Sequence, residues 1–386
     1  MRKKSRILSL LTLPVLCLAA LTSCSTTETD APSAEATDAM PRPLRFSVTT
    51  AGTDGLTVTD EYVTRGLPFS SEVDEPFGIT AYVYDTWDAA TVTPYDKLFN
   101  KEVQFLGSGQ WSTAEAVSAI TGSGNVRIYA YCPYYDSDDE TPNGVVEVTS
   151  TSTTPGPPQL TITVPADVTK QADVLYATGA DPYNEMNETP DIPLASINQA
   201  IQDDQAIPMK FKHLLTQIRF ERGTISKGII KSITIEGIKD KATYTVGEAN
   251  VTLNEESTQT YKIEPDYDTS SASSDINGDN LRLMLLPQTL TDAAKVTLVF
   301  DDGREFTKTI DLGTDTWQPG KVVTYMVSIT SYKKLEVKCV SIKDWTDGGE
   351  VEAGVTGSSL LRPEGKVTEW DNQEDYGSDY LELTKE

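Results

Sequence analysis

The stretch Asn125-Val126-Arg127-Ile128-Tyr129-Ala130-Tyr131-Cys132-Pro133-Tyr134 places Val126, Ile128 and Ala130 at every second position, the spacing of a strand with one face turned to a core. The same period recurs on both sides of it. Toward the N-terminus it runs through Leu44, Phe46 and Val48, then Phe77, Ile79, Ala81 and Val83. Toward the C-terminus it runs through Leu160, Ile162 and Val164, Met209 and Phe211, Ile218 and Phe220, and Ile233 and Ile235. It continues through Leu281, Leu283 and Leu285, Val296, Leu298 and Phe300, and Val323, Tyr325, Val327 and Ile329. Turn-forming clusters at 52–55, 107–109 and 122–125 separate the groups, and no stretch keeps a sustained helical period. Half-buried strands with Gly- and Pro-rich connections predict an all-β chain of antiparallel β-sandwich domains. The polar stretch 183–206 is the natural division, giving an N-terminal sandwich over 44–195 and a C-terminal one over 205–351.

The balance of charge narrows the function classes. The 386 residues include 32 Lys and Arg against 58 Asp and Glu, a formal charge of −26, which excludes a nucleic-acid backbone as the main partner. With 38% hydrophobic and 23% charged residues the chain is a folding one rather than a disordered tail. A single histidine, His213, rules out a multi-histidine metal site, and Ser-His-Asp and Cys-His relays are excluded unless that one residue serves.

At the N-terminus, Arg2, Lys3, Lys4 and Arg6 precede an apolar run over 7–21, the layout of an export signal and too short for a membrane-spanning helix. The run ends Leu21-Thr22-Ser23-Cys24, which resembles the lipobox of bacterial lipoproteins, in which the cysteine is diacylated and becomes the first mature residue. Two acyl chains give stable membrane anchoring. Losing residues 1–23 removes those four basic residues and no acidic one, which takes −26 to −30, so only the lipid would hold the protein at an anionic surface. Residues 24–43 are rich in Ser, Thr, Ala, Pro and acid, as a tether is. An acidic tail over 352–386 carries Trp370, Tyr376, Tyr380 and Leu381. Cys132 and Cys339 remain after export and lie in strand-like patterns, consistent with a bridge or with two buried thiols.

Candidate chemistry is sparse. Asp136, Asp138, Asp139 and Glu140, and separately Asp275, Asn277 and Asp279, offer clustered oxygens, but neither group has the glycine and terminal glutamate of a calcium-binding EF-hand loop, and solvated loops are expected. No carboxylate pair is singled out for hydrolysis, so no enzyme activity, cofactor or metal is expected. His213 reads as a packed or capping residue. Tyr82, Tyr84 and Trp87, with Tyr129, Tyr131, Tyr134 and Tyr135, suit either a sugar-stacking platform or cross-strand packing, and strands favour tyrosine for packing alone.

Several stretches in order resemble the fimbrillin family, the Mfa-like lipoprotein pilins of type V pili. They are the 125–134 stretch, Asp173-Val174-Leu175-Tyr176-Ala177, Phe211-Lys212-His213-Leu214-Leu215-Thr216-Gln217-Ile218-Arg219-Phe220, Leu286-Pro287-Gln288-Thr289-Leu290, and Trp317-Gln318-Pro319-Gly320-Lys321 followed by Tyr325. The resemblance implies two tandem transthyretin-like domains, lipidation and transport to the outer membrane, and removal of an N-terminal segment by a protease that cuts after Arg or Lys. It further implies that a strand of the next subunit fills the groove so opened. The partners are then other copies of the chain or related fimbrial subunits, in an extracellular fimbria serving adhesion or biofilm formation. A monomeric glycan-binding lipoprotein is the alternative. Carried onto this chain, the cut falls between Arg65 and Gly66, in a Gly- and Pro-containing loop. Arg42 is disfavoured by Pro43, and Arg45 lies within a strand pattern. The donor strand is either 335–342, otherwise the last strand of the second domain, or the tail over 367–383.

Overall fold

A computed structural model describes residues 41–50, 76–107, 109–137, 145–184, 189–278, 281–310, 316–330 and 333–345. Cys24, Arg65, Gly66, residues 24–40 of the tether and the acidic tail lie outside the described residues, while the last two residues expected in the tether, Arg42 and Pro43, already belong to the first strand.

The order begins with β1 (Arg42–Thr50), β2 (Phe77–Tyr84), β3 (Lys101–Gly107), β4 (Gln110–Val117), β5 (Asn125–Cys132), β6 (Val146–Val148), β7 (Gln159–Thr163), β8 (Leu175–Thr178) and β9 (Ile192–Pro193). A helix, α1 (Leu194–Asp203), leads into β10 (Ile207–His213) and β11 (Thr216–Arg222). Then come β12 (Ile229–Lys239), β13 (Lys241–Thr245), β14 (Thr252–Leu253), β15 (Thr258–Ile263), β16 (Tyr267–Asp268) and β17 (Leu283–Leu285). The last are β18 (Lys295–Phe300), β19 (Glu305–Thr309), β20 (Lys321–Ile329) and β21 (Leu335–Asp344).

Among the described residues the chain is all-β apart from α1 and two single 3-10 turns, and the alternating groups read from the sequence fall in or at the ends of its strands. Among the described residues the first sheet runs β2-β3-β4-β1-β10-β8-β5, with β9 also on β5, and β5 pairs again with β2. The ladder therefore closes into a circuit around one core, which holds Phe46, Phe77, Ile79, Val126, Ile128, Ile207 and Phe211. Three further sheets follow the orders β17-β11-β20-β21, β15-β12-β18-β19 and β14-β13-β7-β6, and a second core lies among them. The last of these joins β6 and β7 to β13 and β14 through the β7–β13 ladder, from Gln159 opposite Thr245 to Thr163 opposite Lys241.

Three expectations change. The strands are not all half-buried: β2 and β5 are covered on both faces, with Ile79, Ala81, Ile128 and Ala130 in the first core and Tyr82, Tyr84, Tyr129 and Tyr131 in the second. A strand wedged between two cores needs apolar or aromatic residues on both sides. Not all pairing is antiparallel, since β1 and β10 pair in parallel, as do β11 and β20. Finally, the polar stretch 183–206 contains α1, which buries Leu194, Ile197, Ala200 and Ile201 on one side. Spacings of three and four residues give that stripe, and it ends at Asp204, a left-handed cap whose N–H bonds Ala200 O.

One glycine is needed for this packing. Gly78 sits opposite Tyr131 in the β2–β5 ladder, and a Cβ there would come within 2.5 Å of the Tyr131 ring. The ring lies over the bare backbone and its hydroxyl reaches Asn100 Oδ1 at 2.6 Å.

Candidate functional site

The strand that ends just before the expected processing loop is β1. Pro43, alternating Leu44, Phe46 and Val48, and β-branched Thr49 and Thr50 favour an extended chain. It lies in the middle of the first sheet. On one side it pairs in parallel with β10, from Phe46 opposite Ile207 to Thr50 opposite Phe211. On the other it pairs antiparallel with β4, with a shift between Pro43 and Arg45. At that irregularity the Leu44 N–H donates to Thr113 Oγ1 at 3.1 Å, so the backbone donor that leaves the ladder is still satisfied.

Leu44 and Phe46 are 1% and 2% exposed. Phe46 meets Phe77 edge-on with ring centroids 5.8 Å apart, and Phe77 in turn contacts Phe211 at 5.2 Å and Trp111 at 5.4 Å. Burying a Leu and a Phe is worth ~1.5–3 kcal/mol each, and their loss would uncover Trp111, Phe77 and Phe211 together. The solvent side of β1 is tied to the end of α1. Arg42 Nη1 donates to Gln202 O at 2.7 Å, and Arg45 Nε to Asp204 Oδ1 at 2.9 Å. Cations at a helix C-terminus meet its negative dipole end. Removing β1 would thus leave β4 and β10 facing each other across a gap, each with an unpaired edge, above an apolar floor.

The last strand, β21, is placed differently. It pairs antiparallel with β20 from Leu335 opposite Ile329 to Asp344 opposite Lys321, and among the described residues it ends its sheet. It contains the 335–342 donor candidate. Leu335 and Val337 are buried, while Val340 and Ile342 are 46% and 45% exposed. Trp345 follows directly. Its N–H donates to Gly320 O at 2.8 Å, and its ring stacks on His213 at 4.2 Å and 3°. His213 Nδ1 lies 2.6 Å from Asp173 Oδ2, both side chains being buried. The lone histidine is a packed junction residue between β10 and β11. Its partners, distant in sequence, carried no signal that identified them.

The tyrosine platform is inside the fold. Tyr82, Tyr84, Tyr129 and Tyr131 are buried in the second core, and Tyr82 packs edge-on against Tyr129 and Trp87. Beside them Arg127 lies 4.0 Å from the Trp87 ring centroid and donates from Nε to Asp191 Oδ1 at 3.0 Å, and the Tyr84 hydroxyl donates to the same oxygen at 2.5 Å. Burial alone would raise the Asp191 carboxyl, but these two hydrogen bonds and the Arg127 charge outweigh it and hold the pKa below its ordinary value. Burial pushes the Tyr84 hydroxyl up, and its bond to Asp191 adds to the rise.

The expected polar loops serve structure where they are described. Asp275 Oδ1 accepts from the Asn277 N–H, and Asn277 Oδ1 accepts from the Phe220 N–H. Among the described residues no three His, Cys, Asp or Glu side chains converge as a metal ion would require. Cys132 lies in the first core and Cys339 packs against the second, their thiols directed to Pro76 O and Ser341 O.

This fold is shared with proteins of the fimbrial and cell-adhesion class. A candidate cell adhesion protein of Bacteroides ovatus matches 79% of this chain and 98% of its own, with a TM-score of 0.52 at 15% identity. A fimbrial protein of Bacteroides vulgatus matches 78% of this chain and 99% of its own, with a TM-score of 0.51 at 17% identity. At such identities the likeness is one of fold. A search of curated proteins gives no match to the sequence. The sequence profile of the fimbrillin-like family matches residues 65–345, most of the chain, and the protein belongs to that family.

Proposed function

We propose that the chain is a structural or accessory subunit of a cell-surface type V fimbria, non-enzymatic and built as two tandem transthyretin-like sandwiches. In this reading the precursor is held at the outer membrane by lipid on Cys24, is cut between Arg65 and Gly66, and polymerises by strand exchange. The observation that carries the reading is the position of β1, a buried strand paired on both sides whose connection to β2 contains Arg65. A cut there severs the covalent link and leaves only non-covalent contacts to hold β1 in place. An incoming strand with the same alternation restores both ladders and covers the same floor, as donor strands do. Head-to-tail exchange does not close on itself and gives a filament. Family membership supports the fimbrial role, and the family match begins at residue 65, the last residue of the segment that would be lost.

The test is the N-terminal sequence of the form sheared from intact cells. A start at Gly66 is expected, with ladders that resist unheated SDS. A lipidated Cys24 as the sole N-terminus would overturn the exchange step. With Arg65→Ala the precursor should persist and filaments should be lost.

A further inference from the structure

The helix α1 ends without a cation of its own. Its last turn holds no basic residue, while Asp203 and the cap Asp204 add two carboxylates to the negative end of its dipole. Gln199 Nε2 and the Tyr183 hydroxyl donate to Asp203, each at 2.9 Å. The compensating charge comes from β1. Arg42 Nη1 donates to the Gln202 carbonyl, and Arg45 donates from Nε to Asp204 Oδ1 and from Nη1 to Gln110 Oε1 at 3.3 Å.

Two neighbouring positions fix which residue of a seated strand meets Asp204. The Leu44 N–H donates to Thr113 Oγ1, and that hydroxyl donates onward to Glu115 O at 2.8 Å, so position 44 must supply an N–H and is closed to proline. Phe46 lies opposite Trp111 of β4 and Ile207 of β10, with its ring edge-on to Phe77. A slip of one residue would turn Phe46 to solvent and Arg45 toward the core. The register that fills the apolar floor is therefore the one that sets a cation against Asp204.

We propose that the seat between β4 and β10 selects its strand by charge, with Asp204 and the carbonyl end of α1 as the specificity-determining groups. The partner they fit is an extended segment of a neighbouring subunit that carries a basic residue between two apolar anchors, as Arg45 stands between Leu44 and Phe46. The inference rests on the strand exchange proposed above and adds which strands succeed in it. An exposed ion pair contributes little to the hold on β1. A carboxylate in place of the cation, however, both loses the attraction and meets repulsion from Asp204 and the helix end, so charge ranks strands that fill the floor equally well. Competition between synthetic peptides tests it. The full chain in detergent, carrying a specific protease site inserted after Arg65 and cut there, is incubated with an equimolar mixture of the 41–50 peptide and its Arg42→Glu/Arg45→Glu variant. The ratio bound is read by mass spectrometry. The basic peptide should be favoured about tenfold at low salt, and the preference should shrink in high salt. Asp204→Asn, which suits the left-handed cap, should cut the preference several-fold. Equal binding of the two peptides to the unaltered chain, or an unchanged preference in Asp204→Asn, overturns the charge selection while leaving exchange intact. Binding of neither peptide overturns exchange itself and this inference with it.

Discussion

The first and last described strands carry the same kind of sequence and meet opposite fates. In β1, Leu44, Phe46 and Val48 alternate with polar residues; in β21, Leu335, Val337 and Cys339 do. Yet β1 is paired on both sides, within a closed circuit, and its apolar residues reach the first core. β21 is paired on one side and leaves Val340 and Ile342 in solvent. Alternation makes a strand; its neighbours decide whether that strand is a stave or an edge. If the chain between β1 and β2 is cut as we propose, the stave can be replaced, whereas an edge strand with exposed apolar residues can only be extended.

The sharpest way to break this comparison is to truncate one side chain from each strand. Phe46→Ala should cost about 3–5 kcal/mol in urea unfolding, because it empties the space beside Phe77. Val340→Ala should stay within about 0.5 kcal/mol. Similar losses from the two would mean that β21 is as enclosed as β1.

The comparison is sharpened by asking what fastens β1 besides its core residues. Arg45→Ala removes a half-exposed pair with Asp204 and should cost only ~0.2–1 kcal/mol. A much larger loss would place the hold on β1 at the α1 end rather than in the Phe46 floor.

The smallest effect is a pH dependence beside Tyr84. Asp191 is depressed in the folded state, so its contribution is complete above the ordinary carboxylate value of about 3.9 and is lost as pH falls through the lower folded one. The urea midpoint should therefore drop at the acid end below about pH 4. Asp191→Asn should flatten that part of the profile while leaving neutral-pH behaviour of β1 and β21 alike. A loss on the alkaline side instead would contradict the assignment.

How much was legible follows the range of the interactions involved. Each alternating run, from Leu44-Phe46-Val48 to Val323-Tyr325-Val327, is a local pattern and lies in a strand. The helix α1 escaped because only Leu194, Ile197, Ala200 and Ile201 carry its stripe, over a length too short for the period to stand out from Ser, Asn and Gln. The tyrosines were ambiguous in sequence because a sugar platform and a packed seam use the same residue type; only the second core over β2 and β5 decides between them. His213 was readable as a packed residue, but its partners Asp173 and Trp345 lie far away along the chain.

The sequence by itself determined that the chain is all-β, acidic and family-like, because strand period, net charge and short motifs are properties of neighbouring residues. Only the tertiary structure decided that β1 lies between β4 and β10, that β5 returns to β2, and that β21 stands at an edge. Those are pairings between segments scores of residues apart. Each strand offers the same hydrogen-bonding backbone to any other, so the choice among partners is made by how the side chains of all of them fill two shared cores.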